Sequence, residues 1–321
     1  MRIIAVEEHF VTSAFVSGPG KALTEQFRAL RPGVVEKLSD VGDARIAEMD
    51  AAGIDVQVLS LNSPGVEQME PDGAVSCARD ANDFLADAIK RHPERLAGFA
   101  SLPIQAPDQA AAELERCVRR LGFKGANING HTRGRYLDNA MFEPILACAE
   151  TLNVPVYLHP TIPPKPVVDA LYGGFAPAVS SVFAAGGWGW HIETAVHVLR
   201  MILGGVFDRH PKLQVAIGHM GEALPFMLPR ANKNLSQSLT KLQKPVADYL
   251  RQNLHYTFGG FNFAPTFLNL LLEVGVERIM FSVDYPYVGM QDACSFLQHL
   301  PVSDADRERI AHGNAEALLK M

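Results

Sequence analysis

Eight times along the chain a short apolar run gives way to a longer segment with apolar positions three and four apart, and this alternation restricts the fold more than any other feature. The runs are RIIAV at 2–6, DVQVLSL at 55–61, RLAGFASL at 95–102, FKGANI at 123–128, VPVYL at 154–158, KLQVAIG at 212–218, NLHYTF at 253–258 and RIMFSV at 278–283. Between them lie stretches such as DARIAEMDAAG, CARDANDFLADAIKRHP, DQAAAELERCVRRLG and FEPILACAETLN, spaced like helices that cover a sheet. Eight such units in 321 residues predict an α/β fold, a (β/α)8 TIM barrel rather than an open doubly wound sheet. No G-x-G-x-x-G follows the first run and no G-x-x-x-x-G-K-[ST] occurs, which disfavours a nucleotide cofactor. One domain spanning residues 1–321 is expected. The segments 10–43 and 160–190 are too long for plain connections and are expected as insertions over the carboxyl face of the barrel.

With 48% hydrophobic and 20% charged residues, the chain has material for a large core and is no disordered segment. A net charge of -6, with no run of Lys or Arg along a helix, argues against nucleic acid and anionic membrane as partners. The amino-terminal MRIIAVEEHF holds two carboxylates where a secretory leader is apolar, so the expectation is a soluble cytoplasmic protein. Cys77, Cys117, Cys148 and Cys294 form no C-x-x-C pair and are expected as free, mostly buried thiols.

In such a barrel the chemistry gathers just past the strand ends. The first run leads into Glu7, Glu8 and His9, the fifth into His159, the sixth into His219 and the eighth into Asp284. A strand repeats its side-chain direction every second residue, so Glu7 and His9 share a side and Glu8 faces the barrel wall. Imidazoles and carboxylates converging from four strands suit a divalent transition metal such as Zn or Mn. The alternative is a buried polar rim whose members hydrogen-bond one another.

The motifs V-E-E-H-F at 6–10, Y-L-H-P at 157–160, I-G-H-M-G-E at 217–222 and F-S-V-D-Y-P at 281–286 resemble those of the amidohydrolase superfamily. Within it they look like the branch of γ-resorcylate (2,6-dihydroxybenzoate) and aminocarboxymuconate-semialdehyde decarboxylases. The resemblance runs nearly end to end, through L-S-L-N at 59–62, L-P-x-Q at 102–105, E-T-A-V-H at 193–197 and G-N-A at 313–315. An E-x-H start in place of the common H-x-H favours the γ-resorcylate type. The resemblance implies one divalent metal per chain held by Glu7, His9, His159 and Asp284, with His219 as a catalytic residue beside it. Binuclear relatives carry a carboxylated lysine at the end of strand four, where this chain has Asn127, Asn129 and Gly130. The resemblance also implies a homodimer or homotetramer.

Removing CO2 from an aromatic ring needs a proton at the carboxyl-bearing carbon and a place for the electrons. Asp284 is positioned to hold that proton and His219 to assist it. In a metal-dependent hydrolase of a lactone, ester or amide the same aspartate would instead take a proton from water, and the ligand set alone does not separate the two chemistries. Glu222 would fix the tautomer of His219, or serve only as a helix-start carboxylate. Arg230 would bind a substrate carboxylate, its own or a neighbouring subunit's, or form a surface ion pair. Asn62 and Asn129 would hydrogen-bond a phenol or a turn. Phe15, Trp188, Trp190 and Tyr285 would wall a flat pocket for a small aromatic acid, or pack in the core. His191 and His197, six apart on a helix, read as structural, and His210 as solvated.

Overall fold

The computed structural model describes residues 1–321, apart from the side chains of residues 23, 26, 27, 29 and 30. The strands are β1 (Ile4–Phe10), β2 (Val56–Leu61), β3 (Leu96–Gly98), β4 (Ala100–Ser101), β5 (Ala126–Asn129), β6 (Val156–His159), β7 (Val215–Ile217), β8 (Leu254–Thr257) and β9 (Ile279–Met280). All neighbours pair in parallel, in the orders β1-β2-β3 and β4-β5-β6-β7-β8-β9.

The third apolar run is divided between β3 and β4. Phe99 N donates back to Leu59 O at 2.9 Å, while Ala100 N donates forward to Gly125 O at 2.9 Å, so both pieces belong to one stave. At the other seam Val6 N donates to Phe281 O at 3.1 Å, Asp284 N to Glu7 O at 3.0 Å and His9 N to Tyr285 O at 2.9 Å. The ring therefore closes as a (β/α)8 barrel.

Helices such as Pro71–Arg91 and Pro107–Leu121 open on a proline, whose missing N–H is one that a first turn leaves unpaired anyway. Their inward faces of Ala, Leu and Cys meet the outward residues of the strands in one continuous apolar layer. A second, smaller core lies inside the barrel, where Ile4, Val6, Val58, Phe99, Tyr157 and Met280 meet Ala315 and Leu319 of the last helix. That helix plugs the amino end, so the opening for chemistry is at the carboxyl end.

A register shift between Ala5 and Glu8 in β1 matters for the site. Ile4 and Val6 line the barrel below the shift, and Glu7 and His9 line it above. Strict alternation from Val6 would have turned Glu7 away; the irregularity resets the phase. Glu8 faces the wall, its two oxygens accepting from Val283 N at 2.8 Å and Tyr285 N at 3.0 Å.

The first insertion carries helices Ser13–Ser17, Lys21–Leu30 and Val34–Ser39, and the second carries Pro177–Ala184 ahead of helix Gly189–Leu203. No single helix among the described residues is long and apolar enough to cross a membrane. The four cysteines are free. His210 is not solvated as its helix-end position suggested; it is buried and paired with Glu143 at 2.6 Å and Glu150 at 3.2 Å.

Candidate active site

At the carboxyl mouth, ligand-type atoms of Glu7, His9 and His159 all lie within 4.8 Å of one another. Glu7 is fixed through Oε2, which accepts from Thr257 Oγ1 at 2.6 Å and Ser282 Oγ at 3.4 Å, and Tyr157 OH is 2.8 Å behind that threonine. Its other oxygen, Oε1, is buried with no hydrogen-bond partner. An orphaned carboxylate oxygen in a protein interior calls for a cation or a donor.

The imidazoles meet that need. His159 Nδ1 donates to Pro160 O at 2.9 Å, which leaves the Nε2 lone pair 3.9 Å from Glu7 Oε1. His9 sits 4.8 Å from His159 ring to ring, with Nδ1 at Ser60 Oγ, 3.3 Å, and Nε2 at Asp284 Oδ1, 3.1 Å. Burial lowers the His9 pKa to about 4 and that of His159 to about 3, so both rings are neutral at physiological pH, the form a metal ligand must have. Burial, then the charge of Glu7, pushes Asp284 well above the usual carboxylate range against the pull of His219, His191 and Arg31. Two neutral imidazoles, an unpaired buried carboxylate oxygen and a second carboxylate fit a divalent cation. Lys124 is at the opposite end of the barrel, its Nζ 3.2 Å from Lys320 O, and Asn129 ends β5, so no lysine is available to bridge a second ion.

His219 and Glu222 lie on a backbone turn in which residues 219 to 223 all have positive φ, from 52° at His219 through 90° at Gly221 to 64° at Ala223. Four of those five carry side chains that disfavour this region, strain of the kind that gathers where function dictates geometry. The turn sets His219 Nδ1 2.7 Å from Glu222 Oε1 and 4.0 Å from Glu7 Oε1. Burial disfavours a charged His219, but the carboxylates of Glu222, Glu7 and Asp284 outweigh it and hold its pKa up to about 10. Glu222 stays below the usual carboxylate range despite burial because His219 and His191 face it. The result is a buried imidazolium–carboxylate pair beside the metal-type cluster.

Several neighbours were not evident in the sequence. His191 donates from Nδ1 to Glu222 Oε2 at 2.6 Å. Phe261 sets its ring 5.3 Å from His191 and 5.5 Å from His219, and Tyr287 lies 5.9 Å from His9. Tyr287 OH donates to Asn62 Oδ1 at 2.7 Å, which places Asn62 at the site through that phenol. The Arg31 guanidinium stands 5.8 Å from the Tyr287 ring centre. Asn129 is level with His159, but its Nδ2 and N are directed to Glu67 at 3.3 and 2.7 Å. Trp190 reaches the site through His191, whose Nε2 accepts from the indole N–H at 3.1 Å.

Four expected pocket residues lie elsewhere. Tyr285 faces outward, over Arg45 at 4.7 Å and Lys37 at 5.5 Å. Trp188 is 51% exposed, Phe15 packs in the outer core against Gly20, and Arg230 is exposed on helix Leu224–Asn234. His197 Nε2 accepts from Leu137 N at 2.8 Å, a structural contact away from the cluster.

Glycines make room for the carboxylate. A Cβ on Gly218 would fall 2.4 Å from Glu7 Oε1. Gly218→Ala is therefore expected to displace Glu7 and lower metal affinity by at least about tenfold while the barrel stays folded, read by metal titration and circular dichroism.

Comparison with known proteins agrees with this geometry. The amidohydrolase family model matches residues 31–321, and the chain belongs to that family. Within it the chain is similar to γ-resorcylate decarboxylase of Polaromonas sp. strain JS666, 37% identical over 99% of this chain and 98% of that protein. It superposes at a TM-score of 0.87 on a dihydroxybenzoic acid decarboxylase from Polaromonas sp. JS666 with bound manganese and 2-nitroresorcinol, 35% identical over 99% and 97% of the two chains. It superposes at 0.92 on 5-carboxyvanillate decarboxylase of Novosphingobium aromaticivorans with manganese and 4-hydroxy-3-methoxy-5-nitrobenzoic acid, 33% identical over 100% and 96%.

Proposed function

We propose that this chain is a metal-dependent, non-oxidative decarboxylase of a hydroxylated aromatic acid of the dihydroxybenzoate type, releasing CO2 and a phenol. The observation that carries the reading is the unpaired, buried Glu7 Oε1 clustered with His9 and His159, with Asp284 3.1 Å from His9, beside a charged His219–Glu222 pair, in a chain whose relatives over nearly its whole length include γ-resorcylate decarboxylases. Those relatives weigh against a lactone, ester or amide hydrolase.

Glu7, His9, His159 and Asp284 would hold one divalent cation, and manganese is favoured because two of the four ligands are carboxylates. When bound, the ion neutralises and orients the substrate carboxylate and its ortho oxygen. Asp284 carries the proton to the ring carbon that bears the carboxyl group. The carbon–carbon bond to the carboxyl group then breaks, its electron pair returns to the ring, and CO2 leaves. His219, kept as imidazolium by Glu222, offsets negative charge that builds on the substrate oxygens. Phe261 and Tyr287 supply aromatic faces beside His219 and His9, and Arg31 is a cation at the rim suited to an incoming acid. Exposed apolar residues at Phe175, Val182 and Trp188, 51–58% accessible, together with Arg230, favour a homodimer or homotetramer, which light scattering tests.

The reaction is tested by CO2 release from a panel of mono- and dihydroxybenzoates, with metal content measured on the same sample. Release from one member establishes the reaction class; none from protein carrying one manganese per chain overturns it. His219→Asn is expected to keep its metal and lose about 10²- to 10³-fold in kcat; loss of the metal would make His219 a ligand instead.

A further inference from the structure

We propose that His191 is a positioning residue: it orients Glu222, and through Glu222 the imidazolium of His219, and it ties that pair to the Gly186–Trp190 turn of the second insertion. The proposal rests on the decarboxylase reading for its kinetic test and on geometry alone for its spectroscopic one.

The direction of the bond to the carboxylate is fixed by its acceptor. A carboxylate oxygen accepts, so the 2.6 Å contact makes His191 Nδ1 the donor to Glu222 Oε2, while Nε2 on the other side of the ring meets the indole N–H of Trp190 at 3.1 Å. The second oxygen, Oε1, accepts from His219 Nδ1 at 2.7 Å. Both lobes of one buried carboxylate are thus occupied by rings on either side, and neither ring can rotate without releasing it. The His191 and His219 rings stand 4.6 Å apart, edge to face, with Phe261 against both, so the side chains lack room for another arrangement.

The far end of this chain is embedded in the insertion. His191 lies in the first turn of helix Gly189–Leu203. A Cβ on Gly189 would meet Ala184 O at 2.4 Å, and one on Gly186 would meet the Trp190 ring at 2.8 Å, so the turn is packed tightly against helix Pro177–Ala184. Gly186 O is also within hydrogen-bonding distance of His191 Nε2, at 3.2 Å, so the backbone and the indole of the insertion both meet that nitrogen. A displacement of the insertion therefore reaches His219 through three hydrogen bonds. Donor atoms of His191, His219 and Glu222 are close enough to suggest a second ion, but they are paired with one another, whereas Glu7 Oε1 is not.

The test uses the manganese-loaded enzyme in a Trp188→Phe background, which leaves Trp190 as the sole tryptophan of the two in the chain. His191→Phe keeps the ring and removes both hydrogen bonds; it is expected to lower kcat about 10- to 100-fold with metal content unchanged, and to alter Trp190 emission. His191→Asn places an amide N–H close to the Nδ1 position; it is expected to restore kcat to within about threefold of the parent while Trp190 emission remains altered. Parental kcat in His191→Phe, or equal loss in both variants, overturns the proposal, the latter reducing His191 to packing. A parent that releases no CO2 refutes the functional reading instead, and unaltered Trp190 emission in His191→Phe refutes the link to the insertion whatever the activity.

Discussion

Asp284→Asn is expected to lower turnover by about 10³-fold or more at saturating metal while leaving the barrel folded. The backbone at Asp284 has φ +67°, and asparagine is the residue that adopts that region with the least strain after glycine, so the substitution brings no new backbone cost. The amide keeps the shape of the side chain and the contact with His9, now 3.1 Å from Nε2 to Oδ1. What it loses is the proton. A carboxyl held above its usual range by burial and by Glu7 can carry a proton and give it up, and an amide cannot. Because Asp284 is also one of the four residues that would hold the cation, metal content is read on the same samples, and the loss of turnover is expected with the ion still bound. Turnover within tenfold of the parent would remove Asp284 from proton delivery and pass that role to His219.

The barrel was legible because its signal is local and repeated: each strand is a short apolar run, each helix has its own stripe, and the count of eight determines closure. The ends of four of those strands also pointed to Glu7, His9, His159, His219 and Asp284, which the structure gathers at one mouth. Glu222 was legible for a similar reason, three residues from His219 along the same turn. Tyr285 lay beyond the reach of strand alternation, because Asp284 before it has φ +67° and interrupts the extended backbone that the rule needs. The same rule gave the right side for Glu7 only through a register shift that no residue type announces.

His191 escaped because its partner is 31 residues away on another strand end, and its own helix offers only His197 for comparison, on a different face. Arg31, Phe261 and Tyr287 lie on connections, where no periodicity says which side chain turns toward the mouth. Trp188 and Trp190 are two residues apart in one turn, yet one is exposed and the other is bonded to His191.

Removing the metal is expected to abolish CO2 release completely, to restore it on addition of Mn²⁺, and to change how stability depends on pH. A ligand present at about a thousand times its dissociation constant stabilises the folded state by about 4 kcal/mol, which for a chain of this length lowers the midpoint of the stripped protein on the order of 5–10 °C. The pH dependence follows from Asp284. Its folded pKa in the metal-free protein lies above the unfolded value, so the folded chain binds the extra proton and stability falls as pH rises from the ordinary carboxylate range upward. With the cation in place Asp284 and Glu7 face a positive charge instead of each other, and that decline should disappear. Glu67, also raised by burial, contributes equally to both forms and cancels, whereas His219, held up partly by Glu7 and Asp284, adds a decline above the ordinary imidazole range in the metal-free form that the cation also weakens. Melting curves of the stripped and manganese-loaded protein across pH 4 to 8 should therefore diverge as pH rises. Parallel curves would mean that the ion does not contact Asp284, and would separate that residue from the set formed by Glu7, His9 and His159.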